Sequence, residues 1–197
     1  MIKLQLPSEP LSGTHLRLNR FVEADVGELF RSLDHDEVWA HVAGRRCSSE
    51  QYLPDLLRAP DNGRYPWVLR LQQDLAGLPA GAVVGTTSYL DFVASDERCE
   101  IGFTSYSPAV WGSAVNPEAK LLLLGAAFDA GIGRVQLKTD IRNLRSQRAI
   151  AGIGATREGV LRQYQRRDDG SIRDTVMFSV LADEWPEVRQ GLIRRTA

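Results

Sequence analysis

Hydrophobic and polar positions follow two different periods in the first third of the chain. Leu16 and Leu18 alternate with polar Arg17 and Asn19, the period of a half-buried strand, so a strand is predicted over residues 14–20. Apolar residues then recur at helical spacing in two segments, and both patterns predict helices that cover a sheet. The helical positions are Val26, Leu29, Phe30 and Leu33 in the first segment, and Tyr52, Leu53, Leu56 and Leu57 after the capping-box-like Ser49 in the second.

The middle of the chain is a series of short apolar runs. Turn-forming residues such as Gly77, Pro79 and Asp96 separate these runs, a pattern typical of strands connected by tight turns. The predicted strands cover residues 67–71, 82–90 and 100–106, and their close spacing predicts an antiparallel meander.

Helices and strands alternate in the second half. Its first helix and the strand after it form a βαβ-like crossover, and its last two strands are joined by the hairpin turn Asp168-Asp169-Gly170. These elements predict a mixed α/β layer structure in one domain, residues 1–197. The predicted helices cover residues 117–130, 144–153 and 183–193, and the predicted strands cover residues 134–139, 158–166 and 172–181.

Composition and charge narrow the classes of partner. The chain of 197 residues is 43% hydrophobic, which is enough to bury a sizeable core. Its 24 basic and 25 acidic residues give a formal charge of -1, so there is no global attraction for nucleic acid or for an anionic membrane. We therefore expect no nucleic-acid partner and no membrane association.

The N-terminal segment and the two cysteines predict where in the cell the protein is found. Pro7 and Pro10 interrupt the chain before an apolar run of signal-peptide length, and the longest apolar run, residues 121–128, is far shorter than the roughly 20 residues of a membrane-spanning helix. Cys47 and Cys99 lack the CxxC spacing of a zinc or redox site, which fits a reducing compartment. A soluble, cytoplasmic protein is expected.

The connection between the predicted strand at 100–106 and the next helix carries a signal for a ligand. Asn116 is predicted to cap that helix and Pro117 to occupy its first position, where no amide donor is needed. The free N–H groups of the helix start favour a phosphate. A tight turn without a ligand explains Gly112 and Ala114 equally well, and the GxGxxG and P-loop motifs are not present.

Four short motifs follow one another between residues 82 and 185. They are Glu100-Ile101-Gly102, Trp111-Gly112-Ser113-Ala114-Val115-Asn116-Pro117-Glu118-Ala119, Asn143-Leu144-Arg145-Ser146, and Gly154-Ala155-Thr156-Arg157-Glu158-Gly159. In this order they resemble the GNAT acyl-CoA N-acyltransferases, particularly the RimJ/RimL-like branch. The resemblance implies a GNAT-like α/β (α+β) fold: a mixed, mostly antiparallel central sheet flanked by helices, with a splayed pair of strands that binds the cofactor.

Three features depart from the family pattern. Ala114 stands where a second glycine is usual, which is tolerable only if this residue keeps a negative φ. An extra residue separates Glu100 from Gly112. Gln165 stands where some RimL-like enzymes have a glutamate, and its amide cannot perform the base chemistry of a carboxylate.

The resemblance implies acetyl-CoA as cosubstrate and no metal. The pyrophosphate would rest on amides before the helix, the pantetheine arm would follow the splayed strand, and Asn143 with Ser146 would hold the arm near the thioester. The implied cofactor-binding residues are Phe103, Thr104, Ser105, Tyr106, Trp111, Gly112, Ser113, Ala114, Val115, Asn116, Asn143 and Ser146. Six arginines either meet the 3′-phosphate and adenine end of CoA or form a solvated face: Arg142, Arg145, Arg148, Arg162, Arg166 and Arg167.

Acyl transfer to an amine requires an unprotonated nucleophile and a proton for the departing thiolate. The resemblance makes Glu100 the first candidate for the base, directly or through water, and a strand-end carboxylate in a salt bridge is the alternative. Ser146 either donates a proton to the sulfur, binds the pantetheine, or supports the helix start. Cys99 has no histidine near it in sequence and is interpreted as a small strand residue.

Candidates for the acceptor side lie in the first 67 residues. Trp39 and Trp67 are large enough to stack on an aromatic or nucleotide-like acceptor, and core packing is the alternative. His41 and the acidic segment 34–37 either line an acceptor pocket or lie at a solvated helix end, and the histidines have no metal-ligand pattern.

The resemblance implies acetyl transfer from acetyl-CoA to a primary amine by direct attack through a tetrahedral intermediate. A protein N-terminus, a peptide and a small amine are all open as acceptors. Transfer of a larger acyl group, a noncatalytic acyl-CoA-binding or regulatory module, and assembly as a homodimer also remain open.

Overall fold

The computed structural model describes residues 5–42, 49–50, 53–54, 63–167 and 169–196. The strands are β1 (Leu11–Ser12), β2 (Leu16–Arg20), β3 (Tyr65–Leu71), β4 (Val83–Val93), β5 (Arg98–Tyr106), β6 (Arg134–Asp140), β7 (Thr156–Arg166) and β8 (Ile172–Leu181). The helices are α1 (Val26–Leu33), α2 (Asp36–Trp39), α3 (Val115–Asp129), α4 (Leu144–Ile153) and α5 (Trp185–Thr196). The strands form an 8-stranded sheet in the order β1-β2-β3-β4-β5-β6-β8-β7.

The sheet is mixed and mostly antiparallel. Neighbouring strands from β1 to β5 are antiparallel, which confirms the predicted meander. β5 and β6 are parallel and α3 connects them, which confirms the predicted crossover. β8 lies between β6 and β7 and pairs antiparallel with both.

Side-chain alternation gives the sheet two apolar faces. Trp67 belongs to the larger buried cluster, which includes residues of α3 and α5, whereas its neighbour Val68 belongs to a smaller cluster with residues of α1. α3 packs against the sheet and also against α5, where the rings of Phe128 and Trp185 are 5.4 Å apart. A helix covered on two sides is apolar over most of its circumference, as α3 is.

β5 and β6 diverge after a short parallel pairing. Glu100 opposite Gln136 is their last paired position, and beyond it β5 continues beside β4 and β6 beside β8. A bulge in β5 accompanies the divergence, because Phe103 has a φ of 47° and the register shifts between Thr86 and Ser88. The splayed strand pair expected from the resemblance is therefore present.

The predicted elements differ from the observed ones mainly at their ends. α4 and β8 have the predicted bounds, whereas α3 begins earlier, at Val115, and α5 extends to Thr196. β1 was not predicted because two residues show no period. Within the predicted helix at residues 52–57, Leu53 is buried. Residues outside the described part of the chain include Cys47, Tyr52, Leu56, Leu57 and Asp168.

The helices of the described segments are too short or too polar to cross a bilayer.

Candidate active site

A cavity of about 790 Å³ opens where β5 and β6 diverge. Residues of β5, β6, α4 and the start of α3 line it, and His41 reaches it from beyond α2. This volume lies in the range of small-molecule and cofactor sites. Every residue predicted to bind the cofactor lines the cavity except Ala114 and Val115.

The turn before α3 carries backbone amides without acceptors. Gly112 has a φ of 78°, which favours glycine, and no atom lies within 4 Å of where a Cβ would stand. Ala114 has a φ of -65°, so alanine in place of the second glycine leaves the backbone unstrained. The N–H groups of Gly112, Ala114 and Asn116 donate to no acceptor within the described residues. Such donors at a helix start are suited to a phosphate.

Asn116 is not the N-cap of α3, so this prediction was wrong. α3 begins at Val115, because Ser113 Oγ accepts the N–H of Val115 at 3.3 Å and satisfies the first free donor of the helix. Pro117 is accordingly the third helical residue rather than the first. The Asn116 side chain turns to β5, where its Oδ1 accepts a hydrogen bond from the Tyr106 hydroxyl at 3.1 Å.

The start of α4 forms the opposite wall of the cavity. Asn143 is its N-cap, and the Asn143 Oδ1 accepts the N–H of Ser146 at 2.9 Å. Both residues line the cavity, and the hydroxyl of Ser146 makes no hydrogen bond within the described residues. The cap therefore fixes the backbone of Ser146 while its hydroxyl stays free for a ligand.

Glu100 lies at the cavity, as a base would, and it also forms an ion pair, the alternative that the sequence left open. It lines the cavity, is only 2% exposed, and forms an ion pair with Lys138 at 2.8 Å. Burial raises the pKa of the Glu100 carboxyl, although the ion pair with Lys138 and a hydrogen bond from Gln136 at 3.3 Å oppose this shift. Burial alone would lower the pKa of Lys138, yet the charge of Glu100 raises it.

Lys120 in α3 is a cavity residue that the sequence reasoning missed. Its side chain is 3% exposed, and its Nζ donates to Thr104 Oγ1 at 3.3 Å and to the Tyr106 hydroxyl at 3.5 Å. It has no carboxylate partner among the described residues, and burial lowers its pKa to about 7. Lys120 shares a helix face with Leu124 and Ala127, both buried, and this spacing was the signal available in the sequence.

Arginines close part of the cavity. The guanidinium carbon of Arg145 lies 3.6 Å from the centre of the Trp111 ring, a cation–π contact. Arg145 and Arg148 line the cavity. The other predicted arginines do not, and these are Arg142, Arg162, Arg166 and Arg167.

The comparison with known proteins agrees with this geometry. Residues 15–156 match the family model of the acetyltransferase (GNAT) domain. The chain belongs to the GNAT acetyltransferase family. It therefore carries a GNAT N-acetyltransferase domain, and its mixed sheet with flanking helices is the GNAT fold.

Solved structures and relatives resemble this GNAT domain over different lengths. A T. thermophilus protein provisionally assigned as an acetyltransferase is 36% identical, with 98% of this chain and 99% of that one covered and a TM-score of 0.85. Mycobacterium smegmatis RimJ, solved with CoA-disulfide, is 21% identical over 94% and 92% of the two chains, with a TM-score of 0.74. The uncharacterised N-acetyltransferase p20 of Bacillus licheniformis is 28% identical over 104 residues, which are 52% of this chain and 57% of that protein.

Two tryptophans predicted for the acceptor side lie away from the cavity of the GNAT domain. Trp67 is 0% exposed and packs edge-on against Tyr89, so the structure places it in the core. Trp39 donates its Nε1 hydrogen to the carbonyl of Leu33 at 2.7 Å and does not line the cavity. Stacking on an acceptor is thus unavailable to Trp67 because its ring is fully buried.

Neither Cys99 nor a cluster of metal-ligating side chains forms a separate site in the part of the chain that the structure describes. Cys99 is fully buried, and burial raises the pKa of its thiol to about 12, which removes it as a nucleophile near neutral pH. The described ranges contain no cluster of three or more histidine, cysteine or acidic side chains that could hold a metal.

Proposed function

We propose that the GNAT domain transfers an acetyl group from acetyl-CoA to a primary amine by direct attack through a tetrahedral intermediate. The observation that carries this proposal is the convergence of β5, the α3 start and Asn143 on one cavity between splayed strands. The acceptor is a protein or peptide N-terminus or a small amine. The order of motifs and the likeness to RimJ support a RimJ/RimL-like enzyme built as one domain, residues 1–197.

The residues present fit a CoA pyrophosphate and pantetheine. The unpaired amides of Gly112, Ala114 and Asn116 would hold the pyrophosphate at the positive end of α3. The unpaired edge of β5 from Phe103 to Tyr106 would bond the pantetheine as an added strand, because β6 has already turned away there. Asn143 and Ser146 would contact the far end of the arm, and Trp111 with Arg145 would cover it.

Proton transfer is assigned to residues on the two faces of the sheet. Glu100 would accept the proton of the attacking amine, directly or through water, with Lys138 keeping its carboxyl ionised at lower pH. The hydroxyl of Ser146 and the protonated amine of Lys120 are the candidates to give a proton to the thiolate on the α3 side. A lysine whose pKa is about 7 exchanges a proton readily near neutral pH.

Calorimetry with acetyl-CoA followed by turnover with a panel of amines tests the proposal. We expect saturable binding of acetyl-CoA and release of one CoA for each acetylated amine, identified by mass spectrometry. Absence of binding at saturating acetyl-CoA contradicts the assignment of the cavity. Larger acyl-CoA donors in the same assay determine the acyl chain length.

A noncatalytic acyl-CoA-binding module is the second candidate. Gln165 at the position of a catalytic glutamate in some relatives and the commitment of Glu100 to Lys138 favour it. Binding of acetyl-CoA without transfer to any amine of the panel would select this candidate. A cytoplasmic location and a homodimer stay proposals, which fractionation and light scattering can test.

A further inference from the structure

Arg173 in β8 is a buried cation that the mechanism above does not use. It is 6% exposed and lines the cavity. Its Nε donates to Thr175 Oγ1 at 3.0 Å, and its two terminal nitrogens have no hydrogen bond or ion pair within the described residues. These two nitrogens are open to the cavity, where a ligand that accepts their N–H groups would bind a cation largely shielded from bulk water.

The strand register places Arg173 on the same face of the sheet as Glu100. Residues directly opposite in a register, and residues two apart on a strand, share a face. Glu100 in β5 lies opposite Gln136 in β6. Lys138 follows Gln136 by two residues along β6, and Lys138 lies opposite Met177 in β8. Two steps of two residues along β8 then lead from Met177 to Arg173. This is the face opposite to α3, so Arg173 and Lys120 lie on different sides of the sheet.

The carboxylates on this wall already have cationic partners. The Asp140 carboxylate accepts hydrogen bonds from Nε and from a terminal nitrogen of Arg167, at 2.8 and 3.0 Å. Lys138 pairs with Glu100 at 2.8 Å and with Asp91 at 3.5 Å. Burial lowers the pKa of Arg173, while the nearby charge of Asp140 opposes this shift. The outer edge of Arg173 thus faces the cavity as a cation that no carboxylate of the described residues bonds.

We propose that Arg173 binds a carboxylate carried by the acceptor, so that the acceptors are amines that also bear a carboxylate, such as amino acids. This inference rests on the proposed acetyl transfer. The planar guanidinium presents parallel N–H groups that match the two oxygens of a carboxylate, and Glu100 on the same face would meet the amine. An acceptor without a carboxylate leaves the buried cation unpaired and is disfavoured for that reason.

The test compares acceptors matched except at the carboxylate, with kcat/KM calculated for the neutral amine because a carboxamide lowers the pKa of the neighbouring amine. Each amino acid is assayed against its carboxamide with acetyl-CoA, with mass spectrometry of the product. We expect kcat/KM to favour the carboxylate member by about 30-fold, the size of a charge-assisted hydrogen-bonded pair. In Arg173→Gln this ratio should fall close to one, and in Arg173→Lys it should be intermediate. Arg162→Gln, an exposed arginine of β7 outside the cavity, should keep the wild-type ratio.

A second readout needs no variant. Carboxylic acids that lack the amine should inhibit the wild-type enzyme competitively against the amino acid, and their amides should not. This keeps the proposal testable even if Arg173→Gln fails to fold, which thermal unfolding would reveal.

Three results would overturn the assignment. Equal use of acids and amides, or no acetylation of any carboxylate-bearing amine, removes the carboxylate preference. A weaker affinity of Arg173→Gln for acetyl-CoA with an unchanged acid-to-amide ratio reassigns Arg173 to the cofactor. Acetyl-CoA binding with transfer to amides alone overturns this inference while the proposed acetyltransferase function stands, whereas no acetyl-CoA binding removes both.

Discussion

Glu100 and Lys120 are two buried ionisable residues whose protonation is controlled by opposite local environments. Glu100 has a cation at 2.8 Å, whereas Lys120 has only hydroxyl groups as partners among the described residues. Burial disfavours the charged form of both, which raises the pKa of the acid and lowers that of the amine. The two groups thus come closer together in pKa than free side chains, as acid–base chemistry near neutral pH requires.

Replacement of Lys120 by methionine should change how stability depends on pH. The pKa of Lys120 falls from 10.5 to about 7 on folding. Between these values the unfolded chain binds more protons than the folded one, so the contribution of Lys120 to the free energy of unfolding rises with pH from about 7 to about 10.5. Urea unfolding of wild type should therefore gain up to about 5 kcal/mol relative to Lys120→Met across this window. Parallel pH curves for the two proteins would contradict a lowered pKa.

Glu100→Gln should reduce turnover most for amines of high pKa, which need the most help to lose a proton. A reduction of kcat of about 100-fold is expected for such acceptors. The measurement is kcat over a series of amines of graded pKa. An equal loss for every amine, or none, argues against a base.

Lys138→Met provides the matching control for this assignment. Removal of the cation raises the pKa of Glu100 further, so the pH at which activity falls on the acid side should move upward. An unchanged pH profile would contradict the assignment of Glu100 as the group that accepts the proton.

At the scale of elements, the starts of α3 and α4 frame the proposed cofactor site by different means. At the start of α3 the N–H groups of Gly112, Ala114 and Asn116 have no acceptor within the described residues, because the cap position carries an alanine, whose side chain accepts nothing. α4 has a side-chain cap from Asn143. The start of α3 therefore supplies hydrogen-bond donors to the cavity, and the capped start of α4 supplies a wall whose backbone is fixed.

Gly112→Ala tests the α3 turn against a matched glycine elsewhere. Gly77 has the same φ of 78° and the same free space around its missing Cβ, but it lies outside the cavity. Both alanine variants should lose about 1 kcal/mol of stability through the positive φ. Only Gly112→Ala should also weaken the binding of acetyl-CoA in calorimetry. Equal affinities of the two variants for acetyl-CoA would show that the turn at Gly112 does not bind the cofactor.

Asn143→Ala should affect both stability and binding. Loss of the cap on the Ser146 amide is expected to cost about 1 kcal/mol in urea unfolding. Acetyl-CoA affinity or turnover should also fall, because a polar side chain leaves the cavity wall. Asn143→Ser keeps a cap but shortens the side chain, so it should restore stability more than affinity. Unchanged kinetics in Asn143→Ala would count against the binding role.

At the scale of the whole molecule, Glu118 connects α3 to the N-terminal edge of the sheet. It is 2% exposed, and its carboxylate accepts the backbone N–H groups of Thr14 and His15 at 2.6 and 2.9 Å. Gly13 permits this approach, since a Cβ there would lie 2.6 Å from the Glu118 carboxyl carbon. The acidic residue near the start of α3 thus holds the segment before β2 against the helix.

Glu118→Ala should lower the free energy of unfolding by about 3 kcal/mol, because two N–H groups lose their acceptor. Glu118→Gln retains one acceptor oxygen and should lose less. Urea denaturation measures both. Wild-type stability of Glu118→Ala would show that water replaces the carboxylate without cost.

Predictions from the sequence were accurate where a local period sets the structure. The alternation in β2 and the helical spacing in α1 fixed both elements, and the bounds of α4 agree because Gly154, with a φ of 99°, ends it. The insertion of β8 between β6 and β7 could not be derived this way, since strand order depends on contacts between distant segments.

The sequence by itself determined most of the helices and strands, the balanced net charge and the motifs that point to the GNAT family, because these are set by local patterns or by composition. Only the tertiary structure decided that Trp67 belongs to the core, that Asn116 bonds Tyr106, and that Lys120 and Arg173 reach the cavity from opposite sides of the sheet. Burial and pairing are properties of segments brought together from across the chain. The charge that a buried side chain carries, and the ligand that it can bind, follow from that packing.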